Sequence, residues 1–195
     1  ITEKVAGLSR VGMVTDAQWA DLDGDQRPDL IVCGEWMALT VFYNTGSGFE
    51  KREIPQSSGL WNSIAVADMD GDGDLDLVAG NFGRNAILRA SSKEPLGLWV
   101  KDLDQNGFTD PIMTYYREGE NRVFADKDWL AGQLPVVKKG FVQYRKYAES
   151  TFDEVFPAAI WAGAIHRTAE VLESCWVENR GKAGWALHPL PAEAQ

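Results

Sequence analysis

The sequence predicts a mainly β protein, and three observations carry that prediction. One acidic loop occurs three times: Asp21-Leu-Asp23-Gly-Asp25-Gln-Arg-Pro-Asp29-Leu30, Asp68-Met-Asp70-Gly-Asp72-Gly-Asp74-Leu-Asp76-Leu77 and Asp102-Leu-Asp104-Gln-Asn106-Gly-Phe-Thr-Asp110-Pro111. Each copy is followed by a short apolar run, Leu30-Ile-Val-Cys33, Leu77-Val-Ala79 and Ile112-Met-Thr-Tyr-Tyr116, and others precede it, as in Ile64-Ala-Val-Ala67 and Leu98-Trp-Val100. These runs are rich in β-branched and aromatic residues and too short for helices, which makes them strand signals and puts the loops at hairpin tips.

The elements follow in order. The first repeat reads as a strand near Met13 to Ala20, the loop, Leu30 to Gly34, Leu39 to Asn44, the turn Thr45-Gly-Ser-Gly48, then Phe49 to Ile54. The second begins with Gly59-Leu-Trp-Asn-Ser-Ile-Ala-Val-Ala67, and its outer part, Asn85 to Ala90 and Ser91-Ser-Lys-Glu-Pro95, falls short of a full fourth strand. Loop starts at Asp21, Asp68 and Asp102 lie 47 and 34 residues apart. Four short strands in about 40–50 residues make one propeller blade, so the spacing predicts stacked blades.

From Asp126 to Pro157 the period turns helical. Val137, Phe141 and Tyr144 fall at i, i+4 and i+7 of one helix face, Pro135 separates this helix from an earlier turn, and Thr151-Phe-Asp-Glu154 is a capping-box pattern closed by Pro157. Lys138, Lys139, Arg145 and Lys146 form a basic group here, read as a solvated face, with docking of an acidic partner as the alternative. Thr168 to Pro191 reads as two strands around Asn179-Arg-Gly-Lys-Ala-Gly184. The predicted architecture is β-propeller blades, three clear plus a partial one, with a helical insertion. Residues 1–125 hold the three loop-bearing blades, 126–157 the insertion, and 158–195 a further hairpin or partial blade of the same domain.

Carboxylates at loop positions 1, 3, 5 and 9 converge only around a cation. A hard ion taking six to eight oxygens at about 2.3–2.6 Å, calcium above all, suits them, with the backbone carbonyl of position 7 as a further ligand. The candidate ligands are Asp21, Asp23, Asp25, Arg27 and Asp29, then Asp68, Asp70, Asp72, Asp74 and Asp76, then Asp102, Asp104, Asn106, Phe108 and Asp110, for up to three Ca2+. Position 12, the bidentate Glu of an EF-hand, is here Val32, Ala79 and Met113, and the flanks are strands, which excludes that helical motif. The middle loop, with Gly71, Gly73 and the most carboxylates, is expected to bind tightest. The first has Gln26 where glycine is easiest, and the third has Gln105 and Asn106.

The 195 residues, 45% hydrophobic, suffice for the core of one domain or one domain plus a subdomain, and no apolar stretch approaches the roughly 18 residues of a membrane span. A start at Ile1 reads as a processed or excised piece. Net charge is −10, with twelve aspartates in the loops, and three divalent ions would bring it to −4. That acidity argues against nucleic acid as a partner. Cys33 and Cys175 read as buried free thiols, a disulfide remaining open. Trp19, Trp61 and Trp99 are predicted core residues, and Trp36 the exposed aromatic suited to stack on a sugar. An acid-base pair would have to come from His166, Arg167, His188 and Glu173. Without a nucleophile motif or phosphate loop the expectation is no catalysis.

The loops, the run Asp76-Leu-Val-Ala-Gly-Asn-Phe-Gly83 and the hairpin Phe42-Tyr-Asn-Thr-Gly-Ser-Gly-Phe49 resemble FG-GAP and VCBS repeats, the calcium-binding blades of integrin-alpha-like propellers. No Gly-Ala-Pro triplet occurs, which favours the VCBS comparison. The stretch from Leu103-Asp-Gln-Asn-Gly-Phe-Thr-Asp-Pro-Ile to Phe156 is similar to a bacterial secreted branch associated with ASPIC/UnbV proteins. The resemblance implies a secreted or cell-surface propeller that binds an extracellular protein or carbohydrate, with calcium in a structural role. It leaves two alternatives, part of a polysaccharide-active enzyme and an oligomerisation or spacer segment. A closed propeller needs about four to eight blades, so either a longer chain or a second copy would complete the ring.

Overall fold

The computed structural model describes residue 5 and residues 7–195, apart from the side chain of Val136. The fold is mainly β and forms two compact units: one from residues up to Leu88 together with Ala169–Gln195, the other Arg89–Thr168. Among the described residues no sheet closes on itself.

The first sheet is a four-strand meander, β1 (Met13–Ala20), β2 (Asp29–Met37), β3 (Thr40–Asn44) and β4 (Phe49–Glu53), with the short β5 (Gly59–Leu60) pairing the far end of β2. The continuous apolar run of β2 fits its place, because strands pair on both of its sides and both faces are covered. Ile31 and Cys33 face a core with Leu39, Val41, Ile54 and Trp61, while Leu30 and Val32 face a second cluster with Val5, Met37 and Phe42. This is the two-residue alternation of a strand. A bulge at Thr15 lets its hydroxyl donate to the Trp61 carbonyl at 2.9 Å, and Asp16 accepts from the Ile64 amide at 3.0 Å.

The second sheet starts with β6 (Ser63–Ala67) and β7 (Asp76–Gly80), and then the chain leaves it. No strand forms between Gly80 and Leu96, where the sequence suggests the outer part of the second repeat. The chain instead builds the other unit: β8 (Leu96–Lys101), β9 (Asp110–Arg117), β10 (Glu120–Val123), helices α1 (Lys127–Gln133), α2 (Pro135–Gly140), α3 (Tyr144–Glu149) and α4 (Phe152–Val155), and β11 (Ile165–Ala169) beside β8. It then returns as β12 (Cys175–Asn179) and β13 (Trp185–Pro189), giving the order β13-β12-β7-β6, with Val177 opposite Leu77 and Cys175 opposite Ala79. Strands β12 and β13 therefore take the places in this sheet that β3 and β4 take in the first. The short 34-residue spacing arises because the third repeat interrupts the second.

Within the Arg89–Thr168 unit, helices and sheet share an aromatic core. Ring centroids of Trp99, Phe152 and Trp161 lie 5.2–5.5 Å apart. The single helix expected through Val137, Phe141 and Tyr144 is broken: α2 ends at Gly140, and α3 starts at Tyr144. Val137 and Phe141 are core residues, but Tyr144 is exposed and donates to Asp128 at 2.7 Å. Burying Phe141 outweighs one more helical turn after a glycine. The capping box of α4 is complete, with the Glu154 amide on the Thr151 hydroxyl at 3.4 Å and the Thr151 amide on the Glu154 carboxylate at 2.8 Å.

Trp61 is fully buried, but two tryptophans depart from expectation. Trp19, on the outer strand β1, is 49% exposed, and Trp36 is buried because β2 runs on to Met37 and pairs with β5. Both cysteines are buried free thiols, and burial raises both, Cys175 to about 11.

A chain lacking residues 170–195 loses β12 and β13 and uncovers Leu77 and Ala79. Hydrogen exchange is expected to show loss of amide protection from Ile64 to Gly80, whereas unchanged protection there would show that β6 and β7 fold without their returning partners.

Candidate metal centre

Each acidic loop joins two neighbouring strands, β1 to β2, β6 to β7 and β8 to β9, and all three fold alike. Side chains at odd positions accept the backbone amide two residues on: Asp23 from Asp25, Asp25 from Arg27, Asp70 from Asp72, Asp72 from Asp74, Asp104 from Asn106, and Asn106 from Phe108, at 2.8–3.3 Å. These are Asx turns, the reason Asp and Asn recur at alternate positions. The position-1 carboxylate reaches across the loop, Asp21 to the Gln26 amide, Asp68 to Gly73 and Asp102 to Gly107, at 2.8–3.2 Å. Such winding needs left-handed backbone at positions 4 and 6. These are Gly24 and Gln26 at φ 75° and 65°, Gly71 and Gly73 at 81° and 96°, and Gln105 and Gly107 at 61° and 89°. Only the middle loop meets both positions with glycine, so it carries the least strain.

Position 9 is the buried anchor. Asp29, Asp76 and Asp110 are at most 4% exposed, and one oxygen of each accepts the amide of loop position 2, Leu22, Met69 or Leu103, at 2.8–3.0 Å. The other oxygen reaches outside the loop. Asp29 accepts the Asn44 amide at 2.8 Å, Asp76 the Asn179 amide at 2.8 Å, and Asp110 the Gln133 side-chain amide at 3.1 Å.

The result is three clusters of carboxylates, Asp21/Asp23/Asp29, Asp68/Asp70/Asp76 and Asp102/Asp104/Asp110, each with ligand oxygens within 4.8 Å of one another. Each has the donor set of a hard cation. The carboxylates of Asp25, Asp72 and Asp74 are not part of these three-carboxylate groups. Burial pushes the Asp29 carboxyl up, against the pull of the Asn44 and Leu22 amides, and the charges of Asp23 and Asp25 add to it. At Asp70 the Asp72 amide pulls the carboxyl down, but burial and the charges of Asp72, Asp76 and Asp68 outweigh it. Among the described residues no Lys or Arg forms an ion pair with any of the three clusters, and Arg27 pairs with Asp25 beside the first. The clusters can hold a metal ion, and a cation relieves the repulsion that assembles with them.

Sequence reasoning missed Asn44, Asn179 and Gln133. A signal existed for two of them: Asn44-Thr-Gly46 and Asn179-Arg-Gly181 each close a third strand, and each asparagine oxygen accepts the glycine amide at 3.0 and 3.1 Å. The residues considered for acid-base work have other partners. His188 pairs with Glu178 at 2.7 Å and stacks on Trp176. Glu173 pairs with Arg84, and His166 stacks on Trp99 at 3.8 Å, with burial and then Arg167 lowering its pKa. The Arg167 guanidinium donates to the His166 carbonyl at 3.5 Å.

With metal chelated, Asp76→Ala orphans the buried Asn179 amide and the partly buried Met69 amide and is expected to cost about 2–5 kcal/mol, whereas exposed Asp72→Ala costs about 1 kcal/mol or less. Urea denaturation in chelator measures both, and equal costs would contradict the anchor role of position 9.

Residues 21–79 match the FG-GAP-like repeat, a span running from the first acidic loop through the strand after the second. No curated protein matches the chain, and no solved structure matches it either.

Proposed function

We propose that this chain is a calcium-binding propeller module of a secreted or cell-surface protein, non-catalytic, whose assembled face binds an extracellular protein or carbohydrate. The observation that carries the reading is the threefold recurrence of one carboxylate cluster, from positions 1, 3 and 9, on loops of one backbone shape. The FG-GAP-like match over two of the three loops and the four-stranded sheets agree with it. No described helix is long and apolar enough to cross a membrane.

In this reading Asp21, Asp23 and Asp29 and their counterparts hold the ion, joined by position 5 and the position-7 carbonyl. Calcium supplies the positive charge that lets several carboxylates stay ionised and close together. The chain's own residues do the rest. Asx turns wind the loop, position 9 ties it to the strand or helix beside it, and the loop fixes how its two strands emerge. The role of the ion is to stiffen a binding surface.

A ligand held only by the folded state stabilises it by RT ln(1 + [L]/Kd), about 2.7 kcal/mol for one site at a hundredfold excess over Kd. Calcium is therefore expected to raise the melting temperature well above its value in EDTA, and Asp70→Asn with Asp72→Ala is expected to remove one equivalent of bound calcium. Coincident melting curves in calcium and EDTA would refute the reading.

A further inference from the structure

Asn179 ends β12 and is 5% exposed. Its backbone amide donates to Asp76, position 9 of the middle loop, at 2.8 Å. Its side-chain amide donates twice, to the Leu75 carbonyl of that same loop at 3.2 Å and to the Leu22 carbonyl of the first loop at 3.1 Å. The Leu22 amide in turn donates to Asp29, position 9 of the first loop, at 3.0 Å. A continuous buried chain of hydrogen bonds thus runs from one anchoring carboxylate, through Leu22 and Asn179, to the other.

The counterpart of Asn179 in the first sheet makes the comparison informative. Asn44 donates its backbone amide to Asp29 and its side-chain amide to the Pro28 carbonyl at 3.3 Å, both within its own loop. Asn179 makes the same two bonds and adds a third, to a different loop. In the third loop the corresponding oxygen of Asp110 accepts from Gln133.

We propose that Asn179 is a positioning residue that couples the first two metal sites, so that an ion in one loop raises the affinity of the other. The inference rests on the calcium reading of the loops. Ordering either loop fixes one end of a bridge whose groups are too buried to turn to water. Releasing the other end then leaves an amide or a carbonyl unpaired. Coupling of this kind is reciprocal by thermodynamic necessity.

The test is a calcium titration of 15N-labelled protein followed at the amides of Gly24, Gly71 and Gly107, one in each loop. Asp21→Asn, which disables the first site, is expected to raise the Kd reported by Gly71 by about fivefold or more. Asp68→Asn is expected to raise the Kd reported by Gly24 by the same factor, with Gly107 unmoved in both. In Asn179→Ala the effect of Asp21→Asn on Gly71 is expected to fall below about twofold. Should Asn179→Ala fail to fold, the reciprocal pair against the Gly107 control decides. Independent sites in the wild-type background, or full coupling without Asn179, would overturn the proposal while leaving calcium binding intact. Absence of calcium binding at all three loops would overturn both.

Discussion

The structure depends on a buried carboxylate at the ninth position of each acidic loop. Asp29, Asp76 and Asp110 each open the strand that follows their loop, and each holds the amide of loop position 2 with one oxygen. The loop is thereby closed on itself at the point where the two strands begin to pair. The second oxygen fastens it to a neighbour, the end of β3, the end of β12, or α1. Nearly inaccessible, these carboxyl groups are costly to bury unless their oxygens are used in hydrogen bonds. The loop's own amide and the neighbouring strand or helix meet that need together.

That constraint also explains the topology of the second sheet. Asp76 requires an amide in the place where Asn44 serves Asp29, and the chain supplies it from Asn179, a hundred and three positions away. Between these two partners the chain folds a whole second unit with its own aromatic core. The excursion is tolerated because loop-closure entropy grows only logarithmically with length, so a folded insertion costs little more than a short connection. On return, Cys175 and Val177 complete the core begun by Ile31, Trp61, Leu77 and Ala79.

Much of the site was legible before any coordinates. Asx turns are local, so alternate Asp and Asn announce the loop directly, and left-handed backbone at positions 4 and 6 is announced by Gly71, Gly73, Gly24 and Gly107. It is betrayed where Gln26 and Gln105 stand instead. Strand β1, the hairpin around Gly46 and the Thr151 capping box are likewise short-range and were readable. What misled was exposure. Trp19 and Trp36 lie in strands of similar appearance, yet one is on the sheet's outer strand and the other in its centre. The break between α2 and α3 was hidden too, because the 3.6-residue period continues through Phe141 while the backbone does not.

The sequence by itself therefore determined the acidic loops, the carboxylates that gather in them, the strands flanking them and the helical character of the segment after Asp126, since each is written within about ten contiguous residues. Only the tertiary structure decided which distant strands complete the second sheet, which asparagine amides anchor Asp29 and Asp76, and that one of them spans two loops. The reason is physical: a buried amide finds its partner by proximity in space. Asn44 and Asn179, alike in local sequence, differ in reach because only Asn179 ends its strand within hydrogen-bond distance of a carbonyl from another loop.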